Sequence, residues 1–236
     1  MSKLLKIICE GKTEERLVNN LLVDRLLNMY DAIIPITLPT GKNPMGGNAK
    51  GGFHSTDGYA FALKHIINTI KMDKNCIFTT FFDLYKFPKD IECYLDAEKV
   101  YNPIEKANIY ERQIAKDIFA KIGNSIVFLP NIQPYESEAF LFVNPMITAM
   151  EMADTDRNVE KYKNSIYKIR NDFITPEHIN ATKGPSKHLE EIFPNYKKNK
   201  VGKGGFSWRA AKEIGIDAIC GECEHFRKWI AKLEGV

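Results

Sequence analysis

The sequence predicts an α/β fold: a mainly parallel sheet with helices on both faces, followed by a helical C-terminal elaboration. Three observations carry this. Four short, nearly continuous apolar runs are bounded by turn residues, segments of helical period separate them, and three of the runs lead into acidic residues. Strand and helix in alternation give parallel neighbours, because a return to the same end of a sheet needs a crossover.

The first run is Leu4 to Cys9, interrupted only by Lys6 and followed at once by Glu10-Gly11. It reads as a buried strand and a tight turn. Thr13 then stands as a helix cap with Glu14 and Glu15 in the first turn, and Leu17, Val18, Leu21, Leu22, Leu26 and Met29 carry the helical spacing to about Tyr30. A second strand spans Ala32 to Leu38, where Pro35 marks an edge or an irregularity. Pro39 to Phe53 holds five glycines and two lysines in fifteen residues and reads as a long loop.

Thr56 and Asp57 offer caps for a helix bearing Tyr59, Ala62, Leu63, Ile66, Ile67 and Ile70. The third strand, Cys76 to Phe82, ends on Asp83. A polar helix from about Ile104 to Ile122 precedes a fourth strand, Ser125 to Ile132, which Gln133-Pro134-Tyr135-Glu136 terminates. Ser137 to Val143 starts another helix, and a terminal amphipathic helix spans Ala218 to Leu233. One structural unit is expected, with a core over 1–145 and a helical elaboration over 146–236.

Composition narrows the class. At 236 residues and 44% hydrophobic, the chain can bury a full core in a single elaborated domain. No apolar run reaches the length of a membrane span and no cleavable signal fits. Five cysteines, two of them inside strand-like runs, suit reduced thiols, so the expected setting is cytoplasmic. A net charge of +3 gives no bulk case for nucleic acid.

Acids at strand ends carry the chemistry. In open parallel sheets functional groups gather beyond the carboxyl ends of the strands, where loops leave a crevice. Glu10, Asp83 and the pair Glu136 and Glu138 all fall there. A hard divalent cation takes oxygen ligands, commonly one or two carboxylates completed by water and phosphate. An acid abutting an apolar strand is poorly solvated, which calls for a metal or a lysine beside Glu10 and Asp83. The plain alternative for each acid taken singly is a helix cap or a turn.

Ile7-Ile8-Cys9-Glu10-Gly11-Lys12-Thr13-Glu14, Phe81-Phe82-Asp83-Leu84-Tyr85 and Gln133-Pro134-Tyr135-Glu136-Ser137-Glu138-Ala139-Phe140-Leu141-Phe142, in that order, resemble the Toprim domain of topoisomerases, bacterial primases and OLD-type nucleases. The likeness is strongest to an uncharacterised Toprim-like bacterial family found beside ATPase partners in antiphage defence loci. It extends through Gly184-Pro185-Ser186-Lys187-His188-Leu189 and Cys223-Glu224-His225-Phe226-Arg227-Lys228-Trp229-Ile230.

That resemblance implies a Toprim-like (Rossmann-like) sheet and Mg2+- or Mn2+-dependent phosphodiester cleavage in RNA or DNA. It implies metal ligation by Glu10, Asp83 and Glu136 or Glu138, with Glu14 and Tyr85 in support. Lys187 joins the catalytic candidates, and Glu10 is a candidate general acid or base. The family's Asp-x-Asp pair is incomplete, since Tyr85 stands at the second position. An ABC/SMC-like ATPase partner and a partner-bound or homodimeric state follow from the same likeness. The competing reading is a Toprim-like subunit that binds nucleic acid or its partner without cutting.

Lys183, Lys187, Lys198, Lys200 and Lys203, joined by Lys197, form the candidate nucleic-acid contact, with Tyr196, Phe206 and Trp208 interleaved to stack bases. A solvated lysine-rich loop is the plain reading of the same run. Cys220, Cys223 and His225 invite a zinc site, but no fourth ligand accompanies them, and docking of the terminal helix through Trp229, Ile230 and Leu233 is the expected role of the segment.

Overall fold

The computed structural model describes residues 3–42, 48–50, 58–179, 183–194, 196 and 203–236. Its strands are β1 (Leu4–Cys9), β2 (Ala32–Thr37), β3 (Pro39–Lys42), β4 (Asn48–Lys50), β5 (Ile77–Asp83), β6 (Val127–Leu129) and β7 (Ile132–Gln133). The main sheet runs in the order β2-β1-β5-β6, with β7 also beside β5, and all of its pairings are parallel. The α/β fold with a mainly parallel sheet is therefore observed. β2 lies at the edge of this order, where Pro35, opposite Ile7, can lack an N–H without breaking a central ladder.

Both faces of the sheet are covered, which explains why its strands read as unbroken apolar runs rather than as alternating ones. Leu5, Ile7, Cys9, Ile77 and Phe81 join one buried cluster, while Ile8, Phe78 and Phe82 join another. The second cluster is closed by α3 (Gly58–Met72), the short α4 (Tyr94–Ala97) and α5 (Pro103–Ile122). On the first face lie α1 (Lys12–Leu17), α2 (Val23–Leu26) and the C-terminal helices, beginning with α6 (Pro145–Met152) and α7 (Asp156–Asn171), whose Tyr162, Ile166, Leu189, Ala210 and Trp229 enter the same core.

Several local expectations are corrected. The first helix is capped by Gly11 rather than Thr13: Glu14 Oε2 accepts the Gly11 N–H at 2.8 Å. A π-helical turn over Val18–Leu22 separates α1 from α2. There the Asn20 amide donates to the Arg16 carbonyl at 2.7 Å, competing with the backbone ladder. The expected loop from Pro39 contains the antiparallel pair β3 and β4. The fourth strand is broken at Pro130-Asn131 into β6 and β7.

Side chains bridge that break. Thr80 Oγ1 accepts from Asn131 N and donates to Asn131 O, each at 2.8 Å. Thr79 Oγ1 donates to the Leu129 carbonyl and accepts from Trp229 Nε1 at 2.8 Å. The C-terminal segment is thus fastened to the sheet by a buried polar bond.

The terminal helix is two helices, α10 (Ile216–Glu222) and α11 (Glu224–Glu234), with Cys223 extended between them. The cause lies far away in sequence. The fully buried Glu177 carboxylate accepts from His225 N at 2.9 Å and Phe226 N at 3.0 Å, giving α11 an N-terminus of its own. Among the described residues no helix is long and apolar enough to cross a membrane.

Thr79→Val keeps the shape of the side chain and removes its hydroxyl, leaving Trp229 Nε1 and the Leu129 carbonyl without this partner in the core. We expect a loss of about 1–3 kcal/mol in urea unfolding. A smaller change would show that the bond does not hold α11 to the sheet.

Candidate functional site

Asp83, the last residue of β5, ties the strand ends together. Its N–H donates to Glu10 Oε2 at 3.2 Å, and Glu10 N donates to the Phe81 carbonyl at 3.3 Å, so the residue after β1 is held against the end of β5. The Asp83 carboxylate accepts from Ser137 N at 3.0 Å, drawing in the turn after β7. Beyond the sheet proper the two chains stay paired, through Leu84 N to the Gln133 carbonyl and Tyr85 N to the Tyr135 carbonyl. Lys86 and Tyr135 both adopt positive φ, 57° and 58°, a conformation that side chains other than glycine rarely take and that gathers at functional sites.

Glu136 and Glu138 arrive on the same turn but are held differently. The Glu136 carboxylate accepts from Ser186 N and Ser186 Oγ, both at 2.8 Å, and so caps the start of α8 (Pro185–Ile192). Gly184 permits this, because a Cβ there would stand 3.0 Å from Glu136 Oε2. Glu138 has one weaker hold, a bond from the Tyr196 hydroxyl at 3.2 Å. The Ser137 hydroxyl between them is buried beside Glu14 without a hydrogen bond of ordinary geometry.

Three of these carboxyls stand above their ordinary values. Asp83 is pushed well above the usual carboxylate range by burial, and then by the negative charges of Glu14, Glu10, Glu138 and Glu136. Glu138 is pushed up to about 8 by burial, then by Glu136 and Glu14. Glu14 is raised by burial, partly offset by its backbone bonds. Glu14, a supporting candidate in the sequence, is therefore an integral member of the cluster.

The donor set is oxygen only, and its crowded like charges suit a hard divalent cation. Every one of the five carboxylates also takes a hydrogen bond from a protein donor. Among the described residues no three His, Cys, Asp or Glu side chains stand in an arrangement that would hold a metal ion directly. Holding one there requires these side chains to rearrange.

Other predicted residues fall unevenly. Lys187 is exposed near Tyr85 and Glu136 and pairs with Glu190 at 2.9 Å. Lys183 pairs with Glu191. Lys203 opens α9 (Lys203–Ile214), and Lys197, Lys198 and Lys200 lie outside the described residues. Tyr196 is buried at 2% exposure, which overturns the stacking role expected of it, while Trp208 is partly buried against the core. Tyr85 is 40% exposed.

The His225 ring bonds Glu111 Oε1 at 2.8 Å, and the same oxygen accepts from Ile132 N at 2.8 Å. With Glu177 this makes a second buried polar group, which sequence reading missed. Its partners are 48 and 114 residues apart in the chain.

A two-face-covered parallel sheet with a carboxylate cluster at its strand ends defines the class of this protein. Within it the chain belongs to the family described as domain of unknown function DUF4276, matched over residues 9–234. No curated protein is matched. Among solved structures, the C-terminal region of the Burkholderia pseudomallei OLD protein aligns with 98% of this chain and 97% of that chain, at 13% identity and a TM-score of 0.46.

A carboxyl whose folded-state pKa stands above its unfolded value costs stability as it ionises. The cost is absent below the unfolded value, about 4.3 for glutamate, grows as pH rises towards about 8 for Glu138, and is full above that. Glu138→Gln removes the charge and retains an acceptor for Tyr196. We expect it to raise the melting temperature of the metal-free protein by at least about 2 °C above pH 8 and to leave it nearly unchanged at about pH 5. A stabilisation independent of pH would contradict the raised pKa.

Proposed function

We propose that the protein is a metal-dependent nuclease that cleaves phosphodiester bonds in RNA or DNA. The observation that carries this reading is the elevated Asp83 carboxyl, crowded by four further carboxylates at the carboxyl ends of β1, β5 and β7. The hydrogen bonds these acids accept offset only part of the cost of gathering five of them in one place, and a divalent cation would relieve their repulsion.

Asp83 and Glu10 are the ligands we assign, with Glu138 as the third. Glu136 is the less available of the pair because Ser186 fixes both of its oxygens at the head of α8. A bound Mg2+ or Mn2+ would supply charge neutralisation at the scissile phosphate and a lowered pKa for attacking water. Around it, Glu14 keeps the Gly11 turn and hence Glu10 in position. Lys187, beside Glu136 at the exposed rim, offers a cation for the substrate phosphate.

The wider role we propose is that of a toxic effector in antiphage defence, held in check by an ABC/SMC-like ATPase partner in the cytoplasm. Its support is the resemblance of the ordered motifs across the chain. A second reading, a binding subunit that does not cut, is favoured by Tyr85 at the usual carboxylate position and by the engagement of all five acids with protein donors.

Purified wild type should cut RNA or DNA with Mn2+ or Mg2+, alone or with its partner. Glu10→Ala and Asp83→Asn should each lower the rate at least about a hundredfold. Asp83→Asn retains an oxygen for Ser137 N, so melting should show it folded. Cleavage that survives both substitutions, or wild type inert on every nucleic acid with metal and partner present, would sink the enzyme reading.

A further inference from the structure

Beside the acids, on the other side of the paired segments Leu84–Tyr85 and Gln133–Tyr135, lies a cavity of about 200 Å3 whose lining includes Tyr85, Tyr94, Tyr110 and Tyr135. Lys86, Lys89, Lys106 and Glu98 also line it, with Leu84 and Phe87. The same two chain segments therefore line both sites: Asp83 and Glu136 belong to the carboxylate crevice, and Tyr85 and Tyr135 to the cavity.

We propose that this cavity receives one base of a single-stranded nucleic acid and presents the adjoining phosphodiester to the carboxylates. The inference rests on the nuclease reading for its consequence but not for its observations. Four features carry it.

The cavity is smaller than the roughly 300–1,000 Å3 of pockets that enclose drug-sized ligands, so it suits a single planar ring system. Its walls are aromatic, which favours stacking on the face of a base whatever its identity. Tyr110 lines the cavity although the residue as a whole is only 1% exposed, and no hydrogen bond to its hydroxyl is seen among the described residues. A hydroxyl on a cavity wall can exchange water for a bound group, and the edge of a base carries both donors and acceptors.

The charge at the mouth also fits. Lys106 is paired with Glu98 at 3.0 Å. Lys86 and Lys89 are exposed, and neither has a carboxylate partner among the described residues. Each instead stands over a ring, Lys86 at 5.1 Å from the centroid of Tyr85 and Lys89 at 5.9 Å from that of Tyr94. Aromatic walls with a cationic rim recognise a planar group that carries a phosphate. A base inside a duplex cannot reach such a cavity without leaving the stack, so the proposal specifies an unpaired strand.

The test is fluorescence anisotropy in EDTA, which keeps it independent of metal and of cleavage. The probes are a labelled single-stranded oligonucleotide of mixed sequence in DNA and RNA forms, its duplex, and a nucleoside monophosphate as competitor. Wild type should bind a single strand more tightly than the duplex. Tyr94→Ala should weaken that binding by about 5- to 150-fold, the range of one lost base stack. Tyr110→Phe, which keeps its ring in the core, should weaken it by about two- to tenfold.

Melting curves check folding, and where Tyr94→Ala melts early the Tyr110→Phe result decides. Wild type that binds no single strand, duplex bound as tightly, or unchanged affinity in folded variants would overturn the proposal. A monophosphate that competes as strongly as the strand would assign the cavity to a free nucleotide and overturn it likewise. Tyrosine-dependent binding without any metal-dependent cleavage would leave this inference standing and remove the nuclease reading; cleavage without tyrosine dependence would do the reverse.

Discussion

The backbone N–H of Asp83 donates to Glu10, while its carboxylate accepts from Ser137, and the geometry of the crevice depends on this pair of bonds. They bring the ends of β1, β5 and β7 to one place and oblige their acids to share it. Parallel pairing makes such convergence unavoidable, since all the strands finish at the same edge. Burial, and then the neighbouring carboxylates, raise Asp83, and the fold offsets part of the cost of the cluster with local donors: Gly11 N for Glu14, Ser186 for Glu136 and the Tyr196 hydroxyl for Glu138.

Two of those donors come from the C-terminal half. Ser186 at the head of α8 and Tyr196 beyond its end reach back to the turn after β7, while Trp229 is anchored on Thr79 beneath it. The helical elaboration is therefore part of the crevice wall. Glu177 and Glu111 reinforce this from inside, fixing where α11 begins and binding both its His225 and the first residue of β7. A disturbance of α11 would reach the acids through β7.

What the sequence disclosed follows from the range of the interactions involved. β1 was legible to the residue because an apolar run meeting Glu10-Gly11 is a local signal, and Asp83 was visible in the same way. The cap of the first helix was misplaced by two residues because the Glu14 side chain competes with Thr13 for the role. The division of the last helix was not legible, since its cause, Glu177, lies 48 residues before His225. Tyr196 looked like a stacking platform among lysines, and only the tertiary fold shows its ring buried and its hydroxyl given to Glu138.

Tyr85 is the residue whose meaning changes most. As a sequence position it is a missing carboxylate, which argues for a weakened metal site. In the structure the chain turns sharply at Lys86, with φ 57°, and Tyr85 lines the aromatic cavity. Glu138 supplies negative charge to Asp83 from the turn after β7 instead. Under the proposed function the tyrosine is then a division of labour between two adjoining sites, with charge gathered on one side of the paired segments and aromatic surface on the other. A carboxylate at position 85 would add a further like charge near Asp83 and remove an aromatic wall from the cavity, so both sites favour the tyrosine.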